Sequence, residues 1–453
     1  MPFENEFASY EPLRRILDSP KVKALQNRLR VRKKVDGEKN LKEKIIEKEK
    51  VKPSGFQPDM ILAIDGSYQE VKVENGFPGA TIGYVTVATV LLLLNKIRVH
   101  SKEEFIDPKK FRETEKAATI DTVFPGCNVI LDKENSAKAS MRKTLFEELN
   151  SYSVFDGSET LLNTYEQLLK IKIERDRGGK PAKCPNEDCD ADYTYNYGEY
   201  ICPACKGKLY STDALRLHEL MSSVSSNGEM FGQIMSALER LILIHILRSF
   251  EKLKWIGTLK RVAFFLDGPL AAFSTASWLA KAIIHELNRI NEVANKINGQ
   301  DLIIIGIEKT GTFFNHFEEI DISSTGEKDI FPRQTALLLN DDYIRKNIIF
   351  SESNKTYGQD TYFGRKFFYK TSNGYRIVPS LAFYNSYQQN IHTANPDQFP
   401  RLADVMSILD QLVSSRFPHS VIPLISAHSE AAIPLNLGKK IFEDIAKEIR
   451  NHT

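Results

Sequence analysis

The chain has 453 residues, of which 42% are hydrophobic and 26% charged, and its net charge is +2. That balance suits a soluble globular protein of two or three domains, or one large domain with insertions. It excludes a global positive field that would drive the chain onto nucleic acid, so any basic surface must be local.

The start, Met1-Pro2-Phe3-Glu4, lacks the basic and apolar regions of a signal peptide. The longest apolar run, Val85 to Leu94, is too short to span a bilayer. The expectation is a cytoplasmic protein with no membrane contact. Five cysteines, four of them clustered and Cys127 alone, fit a reducing compartment better than a disulfide scaffold.

Residues 10–52 read as a charged, helix-prone arm. Between Lys21 and Lys52 there are 13 basic and five acidic residues, a local charge of +8. Such a stretch is either a solvated extension or a contact arm for nucleic acid or a partner protein. From Pro58 the pattern turns to strands. Asp59–Ile64 is the first, and a turn at Asn75-Gly76-Phe77-Pro78-Gly79 leads into Thr81–Leu94. Residues 101–170 read as mostly helical, with apolar spacing of helical period over Ser140–Leu149 and Glu159–Glu174.

Residues 181–210 stand apart. Cys184 and Cys189 are followed after twelve residues by Cys202-Pro203-Ala204-Cys205, with an aromatic hairpin from Tyr193 to Tyr200 between the pairs. Two cysteine knuckles on a short hairpin are a zinc ribbon. Four thiolates complete a tetrahedral Zn²⁺ and leave no position for water, so the metal is structural. Without it a segment this short would not fold. Whether the ribbon also touches DNA or a partner is open.

A strongly apolar helix follows, from Gly228 to Leu253, and then the run Val262–Leu266 ending in Asp267-Gly268-Pro269. The earlier run Met60–Ile64 ends in the same way, in Asp65-Gly66. Each reads as a buried strand that delivers one carboxylate to its end, followed by a glycine turn. An Asp before Gly is often only a turn residue. Two such strands side by side, however, would pair the carboxylates and hold catalytic Mg²⁺ or Mn²⁺.

Glu239, on the apolar helix, is a surface residue, an ion-pair partner of Arg240 or Arg248, or a third metal ligand. A helix from Ser274 to about Asn295 and a strand Leu302–Ile307 complete a strand–helix–strand unit. Lys309, just past that strand, could neutralise a phosphate. Strands follow at Phe363–Lys370 and Tyr375–Tyr384. In the stretch from Tyr357 to Lys370 basic and aromatic residues alternate, as an ordinary strand or as a surface for unpaired bases. After a helix near Arg401–Ser415, an apolar strand Val421–Ile425 leads to Ala427-His428. His428 there is a packed residue, a metal ligand or a general acid–base group.

In order along the chain, Ile64-Asp65-Gly66-Ser67, Glu239 on its helix, Leu266-Asp267-Gly268-Pro269-Leu270, Ile307-Glu308-Lys309-Thr310-Gly311 and Pro423-Leu424-Ile425-Ser426-Ala427-His428 resemble the motifs of the NurA family of DNA-repair nucleases. The resemblance implies an α/β fold: a ribonuclease H-like, PIWI-related mixed sheet flanked by helices, here with the inserted zinc ribbon. The implied organisation is a basic arm over 1–54, a nuclease core over 55–180 and 211–453, and the ribbon over 181–210.

The resemblance also implies a Mn²⁺- or Mg²⁺-dependent deoxyribonuclease that degrades DNA 5′ to 3′ and nicks single strands. Asp65, Glu239, Asp267 and His428 would be its metal residues, with Lys309 near the phosphate. It would be a homodimer docked on a HerA-like hexameric translocase, acting in end processing, repair or phage defence. Ser420 stands where the family often has tyrosine, and many relatives lack the ribbon. A non-catalytic DNA-binding adaptor of such an ATPase is the alternative. A PIWI-like guide-dependent nuclease ranks below it, because no guide-anchoring module is evident.

Overall fold

The computed structural model describes residues 10–30, 44–53, 57–73, 77–94, 115–154, 158–177, 181–322, 331–413 and 421–432. Helices α1 (Glu11–Asp18) and α2 (Pro20–Gln26) are the first described elements and bury no residue. Strand β1 (Ile45–Glu47) pairs antiparallel with a later strand of the main sheet, while 1–9 and 31–43 lie outside the described residues.

The first long hairpin is β2 (Met60–Lys72) and β3 (Thr81–Leu93), with positions 75 and 76 of the expected turn outside the described residues. Next comes β4 (Glu115–Pro125), in a region whose mixed composition reads as helical. Its alternating Ile120, Thr122 and Phe124 bury one face against the helices, which is strand periodicity. Helices α3 (Ala137–Ser151) and α4 (Leu161–Arg175) follow.

The cysteine unit contributes β5 (Ala182–Lys183), β6 (Asp192–Tyr193), β7 (Glu199–Ile201) and β8 (Lys208–Tyr210), paired as two small two-stranded sheets. Helix α5 (Gly228–Lys252) leads to β9 (Val262–Asp267), α6 (Leu279–Asn298) and β10 (Ile303–Glu308). After them come α7 (Thr312–Ile320), β11 (Thr335–Leu338), α8 (Asp341–Asn347), β12 (Gly364–Lys370), β13 (Arg376–Ala382) and α9 (Ser386–Gln389). The last described elements are α10 (Leu402–Leu412) and α11 (Ile422–Ala431).

Nine of the described strands form one mixed sheet in the order β1-β11-β12-β13-β10-β9-β2-β3-β4. Only β9 runs parallel to its neighbours, β2 on one side and β10 on the other. The crossover through α6 is the expected strand–helix–strand unit. Alternate residues of the central strands feed two cores. Leu62, Ile64, Phe264 and Leu266 pack under α3 to α6, while Ile61, Ala63, Phe265 and Ile305 pack under α10 and α11. Burial on both faces explains why these strands read as continuous apolar runs. Helix α5 is long and apolar enough to cross a membrane, but 78% of its apolar window is buried inside the protein, the position of a core helix. The architecture is thus an α/β fold with a large mixed sheet flanked by helices.

Candidate active site

The register places the two Asp-Gly carboxylates on neighbouring strands. Ile64 pairs with Leu266, the last paired position of β2 and β9, and Asp65 and Asp267 follow immediately. On its other side Asp267 pairs with Ile307 of β10, whose end carries Lys309. The two strands end differently, however. β9 stops at Asp267, where Gly268 turns the chain with φ +73°. β2 does not turn at Gly66 but continues, paired with β3, to Lys72. Asp65 therefore sits where β2 loses its β9 neighbour, and the opening in the sheet is made by β9 leaving.

Gly66 has a different task from the expected turn. A Cβ there would lie 2.6 Å from Met235 Cγ and 2.8 Å from Glu239 Oε1. The missing side chain lets α5 press onto β2 and bring Glu239 to Asp65. Gly66→Ala is expected to displace Glu239 and cost about 1–3 kcal/mol through overpacking. A melting curve at wild-type temperature together with intact metal binding would contradict this close-approach role.

His428 is also delivered differently from the expectation. Residues 422–431 form helix α11 rather than a strand end, with Val421 extended and Pro423 in the first turn, where its missing N–H costs nothing. Leu424, Ala427 and Ala431 bury one face of that helix. His428 turns to the sheet opening, with Nδ1 3.2 Å from Asp65 Oδ2. Lys309 Nζ lies 2.7 Å from Asp267 Oδ1 and 3.9 Å from Asp65 Oδ2, so one ammonium serves both aspartates. Asp65 and Glu239 are almost wholly buried (2% and 4% exposed), whereas the side chains of Lys309, Asp267 and His428 are open to solvent by about a quarter or more.

The electrostatics follow from that burial. Desolvation pushes the Asp65 carboxyl above its ordinary value, and Asp267 adds to the rise, against the pull of His428 and Lys309. Desolvation pushes Glu239 up to about 8, with Asp65 and Asp267 adding to it and Arg240 opposing. The pairing with Asp65 raises His428. Asp65 Oδ2 and Asp267 Oδ1 receive no hydrogen bond of good angle, although charged groups stand beside them. Buried oxygens of this kind are acceptors suited to a cation. Three carboxylates and an imidazole are a donor set that Mg²⁺ or Mn²⁺ takes.

A second donor set is tighter. The Sγ atoms of Cys184, Cys189, Cys202 and Cys205 all lie within 4.8 Å of one another. Among the described residues it is the cysteines that reach this closeness, while Asp65 and Asp267 flank Lys309 and Glu239 pairs with Arg240. Cys184 and Cys205 are 3.9 Å apart, and Cys189 and Cys202 4.0 Å. Four sulfurs at the Zn–S bond length define a tetrahedron with edges of roughly 3.8 Å, so the spacing fits. Asn186 Nδ2 donates to Cys184 Sγ and Cys205 Sγ, and the Gly207 N–H donates to Cys205 Sγ, each at 3.4 Å. The Gly207 bond and Asn186 hold the Cys205 thiol down at about 6, toward the thiolate.

The alternating basic and aromatic stretch is not a surface for bases over β12, where every residue is buried. Lys366 pairs with Glu308, Lys370 pairs with Asp321 at 2.8 Å, and Phe367, Phe368 and Tyr369 are core residues. Their long stems and rings fill a sheet covered on both sides, and the charges are neutralised inside. Sequence reasoning named Arg240 only as a possible partner of Glu239. The two do form a buried ion pair.

Comparison with known proteins sets the chain in a family. A solved structure described as the NurA nuclease from Sulfolobus solfataricus aligns with 98% of this chain and 97% of its own length, at 11% identity and a TM-score of 0.35. Another, described as NurA, aligns over 98% and 99% at 10% identity and a TM-score of 0.31. No curated protein matches. The family model described as the NurA domain matches residues 59–433, which takes in Asp65, the four cysteines, Glu239, Asp267, Lys309 and His428. With that much of the chain matched, it belongs to the NurA family.

Proposed function

We propose that the chain is a divalent-metal-dependent deoxyribonuclease. The observation that carries this reading is the meeting of Asp65 and Asp267 on one ammonium at the opening between β2 and β9, with Glu239 and His428 beside them. The order β4-β3-β2-β9-β10, three antiparallel strands followed by two parallel to β2, supports a ribonuclease H-like core. Asp65, Glu239 and Asp267 would hold Mn²⁺ or Mg²⁺, and His428 completes the set.

An ion held by these residues would supply Lewis acidity to the phosphate and lower the pKa of water. Lys309 offers its ammonium to a phosphate oxygen and offsets the charge that builds there. Burial of Asp65 and Glu239 keeps bulk water from screening these charges. The test is degradation of end-labelled single-stranded and linear duplex DNA with Mn²⁺, with Mg²⁺ and with chelator. The same gels give the polarity, for which 5′ to 3′ digestion and single-strand nicking are the proposed outcomes. No metal-dependent loss of label would leave the DNA-binding adaptor as the reading.

Metal binding should carry a proton signature. A carboxylate ligand must be ionised, and burial holds Glu239 near 8. Below that value each bound ion displaces a proton from Glu239, and a second from His428 while it is protonated, so Mn²⁺ affinity is expected to rise by about tenfold or more per pH unit from about pH 6 and level off near pH 8. Titration calorimetry in buffers of different ionisation heat measures the released proton directly. An affinity flat across that range would contradict the assignment of Glu239 as a ligand.

The same proposal places Zn²⁺ on the four cysteines, supported by their tetrahedral spacing. It also places the protein in the cytoplasm as a homodimer on a HerA-like hexameric ATPase, working in DNA end processing, repair or phage defence. Support for assembly is the +8 stretch between Lys21 and Lys52 and the exposed apolar residues Leu13, Ile16 and Leu17 of α1. Deletion of residues 1–52 is expected to weaken one association: dimerisation, ATPase binding, or DNA binding with a shallower salt dependence. The deletion also removes β1, so its melting temperature is measured alongside. A truncated protein unchanged in all three would make the arm a solvated extension.

A further inference from the structure

Arg240 lies between the helix-borne and the strand-borne carboxylates of this site. Its side chain is 5% exposed and ion-paired with Glu239. The same guanidinium donates from Nε to the Ala271 carbonyl at 3.1 Å and from Nη2 to the Pro269 carbonyl at 3.4 Å. It also closes back on its own helix, with Nη1 3.3 Å from the Ser236 carbonyl. A Cβ on Gly268 would come 3.9 Å from Nη2, so the guanidinium lies against the turn that starts at Asp267. One rigid, planar fork thus grips both α5 and the loop that ends β9. A lysine would keep the charge beside Glu239 but could not span the two loop carbonyls.

We propose that Arg240 is a positioning residue, which sets the spacing between Glu239 and Asp267 and thereby the geometry in which the site receives a divalent ion. This rests on the reading of those carboxylates as a metal site. In this role Arg240 acts through the two groups it fixes. Partners of this kind around metal ligands change affinity by about 10–100-fold when removed.

The experiment measures Mn²⁺ binding to the full chain by electron paramagnetic resonance of the free ion, with circular dichroism and melting temperature on the same samples. Arg240→Lys is expected to keep the fold and to bind Mn²⁺ about tenfold more weakly. In a Glu239→Gln background, where no Glu239–Asp267 spacing remains to be set, the lysine replacement is expected to cost much less. Wild-type affinity in Arg240→Lys overturns the proposal, as does an equal loss in both backgrounds, which marks a general structural role. Should the lysine variant fail to fold, the charge-free pair Glu239→Gln/Arg240→Gln is compared with Glu239→Gln alone. Arg240→Gln alone is measured beside them: a loss against wild type with matching affinities in the pair supports the proposal, and no loss against wild type or a further loss in the pair overturns it. A wild-type chain that binds no Mn²⁺ removes the underlying metal reading, whereas Mn²⁺ binding that ignores Arg240 removes only this inference.

Discussion

Asp65→Asn is expected to abolish DNA cleavage while leaving the metal-free protein at least as stable as wild type. The two effects separate because the proposed role of the carboxylate is to hold a cation, while its burial as an anion does not favour the fold. Asp65 is 2% exposed, and burial already disfavours its charge. An amide of the same shape removes that cost. Its direct losses are the 3.2 Å contact with His428 and the 3.9 Å contact with Lys309, and Lys309 keeps Asp267 at 2.7 Å.

The linkage has a definite sign. Because the folded-state pKa of Asp65 is raised, the folded chain binds the proton more tightly than the unfolded chain, so ionisation of this group costs stability as pH rises through the raised value. Asparagine is free of that dependence. Catalysis should fall by on the order of 10³-fold, the scale of losing a principal transition-state stabiliser. The diagnostic measurement is the melting temperature with and without Mn²⁺: it should rise with the ion in wild type and stay put in the variant. Cleavage at the wild-type rate by folded Asp65→Asn would sink the active-site assignment, and Asp65→Ala serves as a control without a polar replacement.

Much of this site is legible before any coordinates. Val262–Leu266 and Met60–Ile64 are apolar enough to be central strands, and a carboxylate at the end of such a run has few places to go. The unit β9–α6–β10 and the cysteine spacing are equally plain. What the sequence conceals is set by partners distant along the chain. Nothing local says that β2 continues past Gly66 while β9 stops, because that depends on β3 pairing with β2 as far as Lys72. The β-branched run Val421-Ile422 masks a helix whose signals, Pro423 and the spacing of Leu424, Ala427 and Ala431, were present. The charges of β12 look like surface charges until Glu308 and Asp321 are brought to them from other elements. Glu239 reaches Asp65 only because residue 66 has no side chain, a fact about packing between two elements far apart in sequence.

The cysteine unit should prove a structural necessity for the core. Cys202→Ser, at a fully buried position, is expected to lose one zinc per chain and to lower the melting temperature of the whole protein. The local strands are two or three residues long and cannot persist alone. Their own core is Cys184, Tyr193, Cys202 and Leu209, so half of it is the thiol set. The unit is bound to the helices by buried polar contacts. Arg142 of α3 pairs with Asp213 at 2.7 Å, donates to Asn186 Oδ1 at 2.9 Å and to the Lys208 carbonyl at 2.9 Å.

Asn186 in turn donates to two of the cysteine sulfurs, which joins the thiol cluster to a buried ion pair of the core. The Tyr165 hydroxyl and the Trp278 indole N–H add bonds to the Ser211 and Ala214 carbonyls. When the thiol cluster opens, Arg142 keeps Asp213 but loses Asn186 Oδ1 and the Lys208 carbonyl, its acceptors in the unit. Leaving buried guanidinium N–H groups without acceptors costs about 1–3 kcal/mol. Zinc analysis, thermal unfolding and Mn²⁺-dependent cleavage on the same variant separate the roles. Below the lowered melting temperature cleavage should persist, because no carboxylate of the candidate site comes from this unit and a closed four-sulfur shell has no position for water. Loss of zinc at an unchanged melting temperature would show the unit to be an appendage rather than part of the core.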